Sequence, residues 1–373
     1  MLRQLARLGR PIPHAGPGAL AIAVYSDAAN RPIGARQAGY EGVACVDDAA
    51  RALELYCTIW KATAAPWALR WCEGLLEFIL AMQDSDGRWV NFILDWDGTP
   101  NHEARTSMAG GDFWQARALL ALARAAQRLD DGRIGDALKR GLPHIVDSSG
   151  VPSDVRALHI RTALTLLESG DDRRLMSRLG AWSDEVSGCR DGEVLMNSPA
   201  EHGAPHLWAH IQEGVLADAG VRLGREDLVT IACRSAELVF RRVVMSGFDL
   251  PRTQPYDVAS AVYVLARIAD VTGTPGYTAL AGMARSWFDG RNGAGQPVYD
   301  RRAGRVGDGV EDGRVSDNSG AEANIAGAQA LLDDAISLAR RLTASEALPA
   351  GLGRPTPKAD PAGSLMGRTT PDR

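Results

Sequence analysis

No run of ~18 apolar residues occurs anywhere in the 373-residue chain, so no segment has the length and apolarity to cross a bilayer as a helix. Cysteine is scarce. Cys45, Cys57, Cys72, Cys189 and Cys233 make an odd count without a Cys-x-x-Cys pair, which argues against a zinc cluster and for reduced thiols in a cytoplasmic protein. Charge of one sign is lacking too. The net charge is −5, the pI is near 5.9, and the arginines are scattered among acids. Neither nucleic acid nor an anionic membrane is therefore expected as a partner. The N-terminal stretch MLRQLARLGRPIPHAG is broken by Arg3, Arg7 and Arg10 and lacks the apolar centre of a signal peptide. There is no Gly-x-Gly-x-x-Gly loop, no His-Glu-x-x-His and no Ser or Cys nucleophile motif. No metal ion and no cofactor are expected. Strand signals are few; VNFIL (90–94) and PVYD (297–300) are the best, each read as half of a small hairpin.

What remains is helix. Apolar residues recurring three to four apart predict helices at about 47–63, 66–83, 113–128, 132–146, 153–168, 171–187, 204–222, 225–243, 256–271, 276–289 and 319–342. Pro66, Gly150 to Pro152, Gly170, Gly188, Gly224 and Gly273 to Pro275 separate them. The helices come in pairs with short turns inside each pair, and long polar loops (84–112, 188–203, 244–255, 290–318) lie between pairs. Repeated antiparallel hairpins bury every apolar face by closing into a ring. The expected fold is thus a single all-α (α/α)6 toroid with short β-hairpins in the long loops; an open solenoid of the same hairpins is the alternative. FWQARALLALARAA (113–126) suits an inner helix and ALKRGLPHIV (137–146) an outer one. Residues 1–38 read as an N-terminal extension, 39–345 as the toroid, and the Pro/Gly/Thr-rich 346–373 as a disordered tail.

The chain is organised around GYEGVACVDDAARALELY (39–56). An Asp at a helix start is ordinarily an N-cap. Only one of Asp47 and Asp48 can cap, which leaves the other for a cation or ligand, and Arg51 lies one turn away from both. Similar polar residues stand at the start of every second helix. Asp112 follows Gly110-Gly111 and precedes Phe113-Trp114; Ser153-Asp154 opens the next; NSPAEHGAPHLWAH brings Glu201, His202, His206, Trp208 and His210. Tyr256-Asp257 opens the fifth inner helix, and Asp317-Asn318 leads to Glu322 in the sixth. Capping explains some of these residues but not Glu201, Glu322, the histidines or the aromatics. A bowl of acids and rings suits a carbohydrate, whose hydroxyls bind carboxylates and whose faces stack on aromatics. Trp89, Trp96 and Trp114 are the stacking candidates, whereas Trp60, Trp67, Trp71 and Trp182 read as core. His206 and His210, i and i+4 on a helix, could hold a metal with Glu213 or Glu201, but the segment lacks the glutamate of the metalloprotease pattern.

EGVACVDDAARALEL (41–55) resembles the G-Y-C-T-D-D-N-A-R-A-L segment of bacterial (α/α)6-barrel glycosidase-like proteins, often encoded beside glycosyltransferases or mannoside phosphorylases. LEFILAMQDSDGRWVNFI (76–93), GGDFWQARALLALA (110–123) and the stretch 287–325 are similar to later blocks of the same family, in the same order. Ala49 stands where the family reads Asn, and Ala323-Asn324 where it reads Ser-Thr. The resemblance implies a six-hairpin glycosidase-like fold and a carbohydrate substrate. The favoured expectation is glycoside hydrolysis, with Asp48 as general base, Glu322 or Glu201 as general acid, and Arg51 keeping Asp48 charged. Asp47, Arg51, Asp112, Trp114, His202, His206, Tyr256, Asp257 and Asn318 would bind substrate. A uronate lyase or sugar epimerase using His202, His206 or Tyr256, and a non-catalytic glycan-binding protein, are the alternatives. The oligomeric state is left open.

Overall fold

The computed structural model describes residues 1–34, 39 and 41–344, the last as backbone alone; Tyr40 and the tail 346–373 lie outside the described residues. A first helix, α1 (Leu2–Leu8), is followed after a loop region by six antiparallel hairpins. They are α2 (Val46–Thr63) with α3 (Pro66–Ala81), α4 (Asp112–Ala126) with α5 (Gly132–Val146), and α6 (Ser153–Leu167) with α7 (Arg173–Gly188). Next come α8 (Gln212–Leu223) with α9 (Glu226–Ala236), α10 (Pro255–Thr272) with α11 (Pro275–Arg285), and α12 (Ala321–Ala330) with α13 (Leu332–Ala344). α9 continues through a π turn at Glu237–Arg241 to Met245. The first members pack in sequence, α2 on α4, α6, α8, α10 and α12, and α12 returns to α2. The ring is closed: the fold is the (α/α)6 toroid, not the open solenoid.

Local chemistry explains the hairpins. Proline occupies the first turn of α3, α10 and α11, where its missing N–H costs nothing. Gly224 and Gly273 end α8 and α10 in the left-handed conformation that an L side chain resists. α4 buries almost its whole length, from Gln115 to Ala125, as an inner helix covered on both sides must. The outer α5 buries only Ile134, Ala137, Leu138, Gly141 and Ile145, one stripe at helical spacing. At Gly141 an added Cβ would lie 2.5 Å from the Trp89 ring, so the helix can approach only as glycine.

Three sequence expectations change. The helix expected over 319–342 is two helices with a turn at Leu331 (φ −107, ψ 44). No Gly or Pro marks that turn; it exists because the chain must pass from the inner to the outer ring to complete the sixth hairpin. The helix expected from 204 begins at Gln212, and His206, Trp208 and His210 are in a loop, where Ala209 takes φ 57. The i, i+4 geometry that would have set His206 beside His210 is therefore absent. VNFIL does not pair mainly within its own hairpin: Phe92–Ile93 lies antiparallel to Ala44–Cys45, with a single bridge from Ile93 back to Pro100. PVYD forms the expected hairpin, Tyr299–Asp300 against Arg305–Val306.

One of these pairings and a set of N-terminal hydrogen bonds position the site. The Ala44–Cys45 ladder delivers the chain into α2, and Gly42 lets it through, because a Cβ there would meet Ile93 O at 2.3 Å. The N-terminal segment braces the start of α12: Ala321 N donates to Val24 O at 3.0 Å, and Ser26 Oγ and Gln4 Nε2 donate to Ser319 O at 2.8 and 3.1 Å.

Candidate active site

Neither aspartate of the central stretch is the N-cap of α2. Cys45 holds that position, its Sγ accepting from Asp48 N at 3.4 Å, so both carboxylates are free for other partners. They converge on Arg51. Its Nη2 donates to Asp48 Oδ1 at 2.6 Å and to Asp47 Oδ2 at 3.2 Å, and its Nη1 donates to Glu322 Oε1 at 2.9 Å. Arg51 and Glu322, 271 positions apart, thus meet because the ring closes. Arg117 on α4 donates to Asp47 Oδ2 as well. Two guanidinium groups face three carboxylates, so the fully ionised cluster carries one excess negative charge.

The cluster is graded by exposure. The Asp48 side chain is 3% exposed and the Glu322 side chain 32%. Burial pushes the Asp48 carboxyl up to about 6 against the pull of Arg51, with the Glu322 charge adding to the rise. Burial works against the charge of Arg51, but Glu322, Asp47 and Asp48 outweigh it and hold that guanidinium above its usual value. Asp48, the expected general base, is buried against Arg51, and Glu322 is the most exposed carboxylate of this cluster.

Around Glu322 stands an aromatic wall. Trp208 Nε1 donates to the same Glu322 Oε1 at 3.2 Å. Its ring lies 4.6 Å from that of Phe113 and 6.4 Å, edge-on, from that of Tyr256. The Arg117 guanidinium is 5.2 Å from the centroids of both Phe113 and Trp208. Asp257 holds the start of α10, accepting from Gln254 N at 2.8 Å. Burial, with the nearby Glu322 charge adding to it, raises its carboxyl to about 6 against that hydrogen bond. Burial likewise lifts Tyr256, with Glu322 and Asp257 adding to it. Beyond Trp208, His206 Nε2 lies 3.6 Å from Glu201 Oε1 and 3.9 Å from Asp154 Oδ2, while its Nδ1 faces Trp208 O at 3.1 Å. Beneath this floor a cavity of about 740 Å³ runs down the axis, bounded by Arg51, Arg117, Trp208 and Tyr256.

The arc therefore joins Asp47, Asp48, Arg51, Glu201, His206, Tyr256, Asp257 and Glu322. Four expected residues stand apart. His202 is exposed, 4.0 Å from Asp191 on a separate hairpin. Asp112 is exposed at the start of α4. Trp114 turns its Nε1 to Trp89 O at 2.9 Å, packed beside Gly111. Asn318 is exposed and contributes through its backbone, its O accepting from Asp308 N at 2.9 Å. Trp89 is wholly buried, donating to Ile79 O at 2.9 Å, because it fills the gap opposite Gly141; the rings that stand beside Glu322 are those of Trp208, Phe113 and Tyr256. Sequence reasoning missed Arg117, whose signal was a charge inside the largely apolar FWQARALLALA (113–123), and the anchor Asn324. Standing where the resembling family has Thr, Asn324 accepts from Val306 N at 2.9 Å and donates to Gly320 O at 2.8 Å, tying the last long loop to α12.

The two raised carboxyls make a testable contribution to stability. A carboxyl whose value is about 6 when folded and ~3.9 when unfolded stabilises the fold fully below ~3.9 and loses that contribution as pH rises to about 6. Urea unfolding of the protein and of Asp257→Asn at about pH 4 and about pH 7 is expected to show a shallower decline in the variant. An equal decline in both would remove Asp257 from that effect.

No protein-family model matches the chain, and no curated protein matches its sequence. Solved structures do. A sugar epimerase from a ruminal bacterium superposes with TM-score 0.68 at 14% identity, covering 90% of this chain and 95% of that one. Cellobiose 2-epimerase from Bacillus thermoamylovorans gives 0.68 at 12%, covering 90% and 96%. A glycosyl hydrolase family 88 protein from Bacteroides vulgatus gives 0.53 at 11%, covering 79% and 92%. The protein has the fold of six-hairpin glycosidase-like enzymes. Among the described residues no helix is long and apolar enough to cross a membrane.

Proposed function

We propose that the protein is a carbohydrate-active enzyme that hydrolyses a glycosidic bond in the bowl at the N-termini of its inner helices. Glu322 carries the reading: a half-exposed carboxylate oriented by Arg51 and Trp208, beside an Asp257 that keeps a proton up to about 6. Two carboxyls whose surroundings differ in this way are the requirement for acid–base cleavage of a glycoside. Glu322 is the base or nucleophile, and Asp257 is the proton donor. Asp47 and Asp48 act through Arg51, while Glu201 and His206 bind hydroxyls beside the Trp208, Phe113 and Tyr256 faces. The excess negative charge of the Arg51 cluster favours an oxocarbenium-like transition state. The catalytic unit lies within 39–345, braced through Gln4, Val24 and Ser26 of the N-terminal segment, and the five free thiols suit a reducing cytoplasm.

Epimerisation is the second reading. It is favoured by the fuller superposition on the two epimerases and by the position of His206, a proton-transfer group, within the arc. One experiment separates the readings: incubation with a panel of gluco-, manno- and uronate-containing oligosaccharides in D2O. Hydrolysis releases a new reducing end with no deuterium on carbon. Epimerisation leaves the chain length unchanged and places deuterium on carbon, and elimination creates an ultraviolet-absorbing double bond. Tight binding without any of the three would make the bowl a glycan-binding site.

A further inference from the structure

Behind the segment that carries Glu201, His206 and Trp208 lies a polar network that the proposed chemistry does not use. His210 and Glu213 are both fully buried. His210 Nδ1 lies 2.7 Å from Asn197 Oδ1, and its Nε2 lies 3.0 Å from Glu213 Oε1. The protons can be assigned from the partners. Asn197 Nδ2 donates to His206 O at 3.0 Å, so the atom facing His210 is the amide oxygen, which also accepts from Gln212 Nε2 at 2.8 Å. Ser235 Oγ accepts from Leu195 N at 2.9 Å, so its own proton goes to Glu213 Oε1 at 2.6 Å. His210 Nδ1 therefore faces an acceptor, and its Nε2 faces a carboxyl oxygen of Glu213.

We propose that His210 is a buried imidazolium paired with Glu213, and that through Asn197 it positions the Glu201–Trp208 segment against Glu322. Asn197 is the hub. Its amide Nδ2 holds His206 O, its backbone N donates to Glu201 Oε2 at 3.3 Å, and its backbone O accepts from Ser153 N at 2.6 Å, beside Asp154. One residue thus holds the His206 backbone by its side chain, and Glu201 and the start of α6 beside Asp154 by its backbone, while the ion pair fixes its side chain. A doubly donating ring cannot turn over without orphaning a buried partner, which keeps the segment in one register. His210 and Glu213 are positioning residues, and their relevance to catalysis rests on the hydrolase reading above.

The protonation is tested on the unmodified chain by NMR with 15N-labelled histidine at about pH 7.5, above the ordinary imidazole value of ~6.5. One histidine is expected to show two downfield ring N–H protons protected from solvent exchange, both missing in His210→Phe. A single ring N–H at this residue would overturn the assignment. The positioning is tested by amide hydrogen exchange in Glu213→Gln. Peptides spanning 197–210 are expected to exchange at least about 10-fold faster while those of α10 and α12 stay unchanged. A uniform change around the ring, or none, would overturn it. Turnover is read separately: kcat is expected to fall about 10-fold or more at a nearly constant KM. If exchange speeds up locally and kcat does not move, the positioning stands and the placement of Glu201 and His206 at the substrate fails.

Discussion

Replacing Glu322 by Gln is expected to lower kcat by roughly 10²–10⁴-fold on any oligosaccharide the protein cleaves, the usual worth of a positioned acid–base group. Gln has the shape of Glu and can still accept from Arg51 Nη1 and Trp208 Nε1, so binding of the sugar should survive and KM should change little. What is lost is the capacity to take a proton or to attack carbon. Stability is expected to move the other way or not at all. Removing one carboxylate takes the Arg51 cluster from one excess negative charge to none, and a half-exposed side chain leaves no buried group unpaired. This opposition of signs is the useful feature. A variant that lost activity by misfolding would lose both, whereas the expected variant melts like the parent and is nearly inert. Undiminished turnover by Glu322→Gln would take Glu322 out of the chemistry and leave the bowl without the carboxylate that Arg51 and Trp208 orient.

The second large effect concerns Arg51. Arg51→Met keeps the apolar stem but strands Asp47, Asp48 and Glu322 around a buried space with only Arg117 to balance them. Removing one partner of a buried ion cluster typically costs ~3–5 kcal/mol, because the charges left behind remain desolvated. A loss of that order at neutral pH, measured by guanidinium unfolding, is expected here. The sign of its pH dependence follows from the carboxylates. Asp48 already sits at about 6 with Arg51 present, since burial outweighs the cation. Without Arg51 its folded-state value rises further, so the folded state takes up protons that the unfolded state does not. Stability of the variant is then recovered as pH falls towards ~4 and lost again as pH rises. Asp48→Asn in the same background should recover part of the loss at neutral pH. A cost below ~1 kcal/mol, the range of an exposed pair, would mean that Arg51 is not the counter-charge of this cluster.

How far the sequence could be read differs between scaffold and site. The inner helix at 113–126 announced itself by being apolar all round, and the outer one at 132–146 by its single stripe. Both are local periodicities, which survive without knowledge of the neighbours. The turn at Leu331 left no such trace, and neither did the loop conformation of 204–211. In each place the local residues are adequate helix formers, and the tertiary ring overrules them. The acids were found because they stand at helix starts, yet that same position made Asp112 and Asn318 look equivalent to Glu322, although they are exposed on the rim.

The sequence alone determined the first five hairpins, their order and the polar residues at the inner-helix starts, because helix periodicity and breakers act over a few residues. Only the folded ring decided that Asp48 lies beneath Arg51 and Glu322 above it, that Arg117 joins them, and that His210 turns inward to Glu213 instead of outward beside His206. Those relations depend on exposure and on contacts between residues tens to hundreds of positions apart, and burial, not residue type, sets which carboxyl holds its proton.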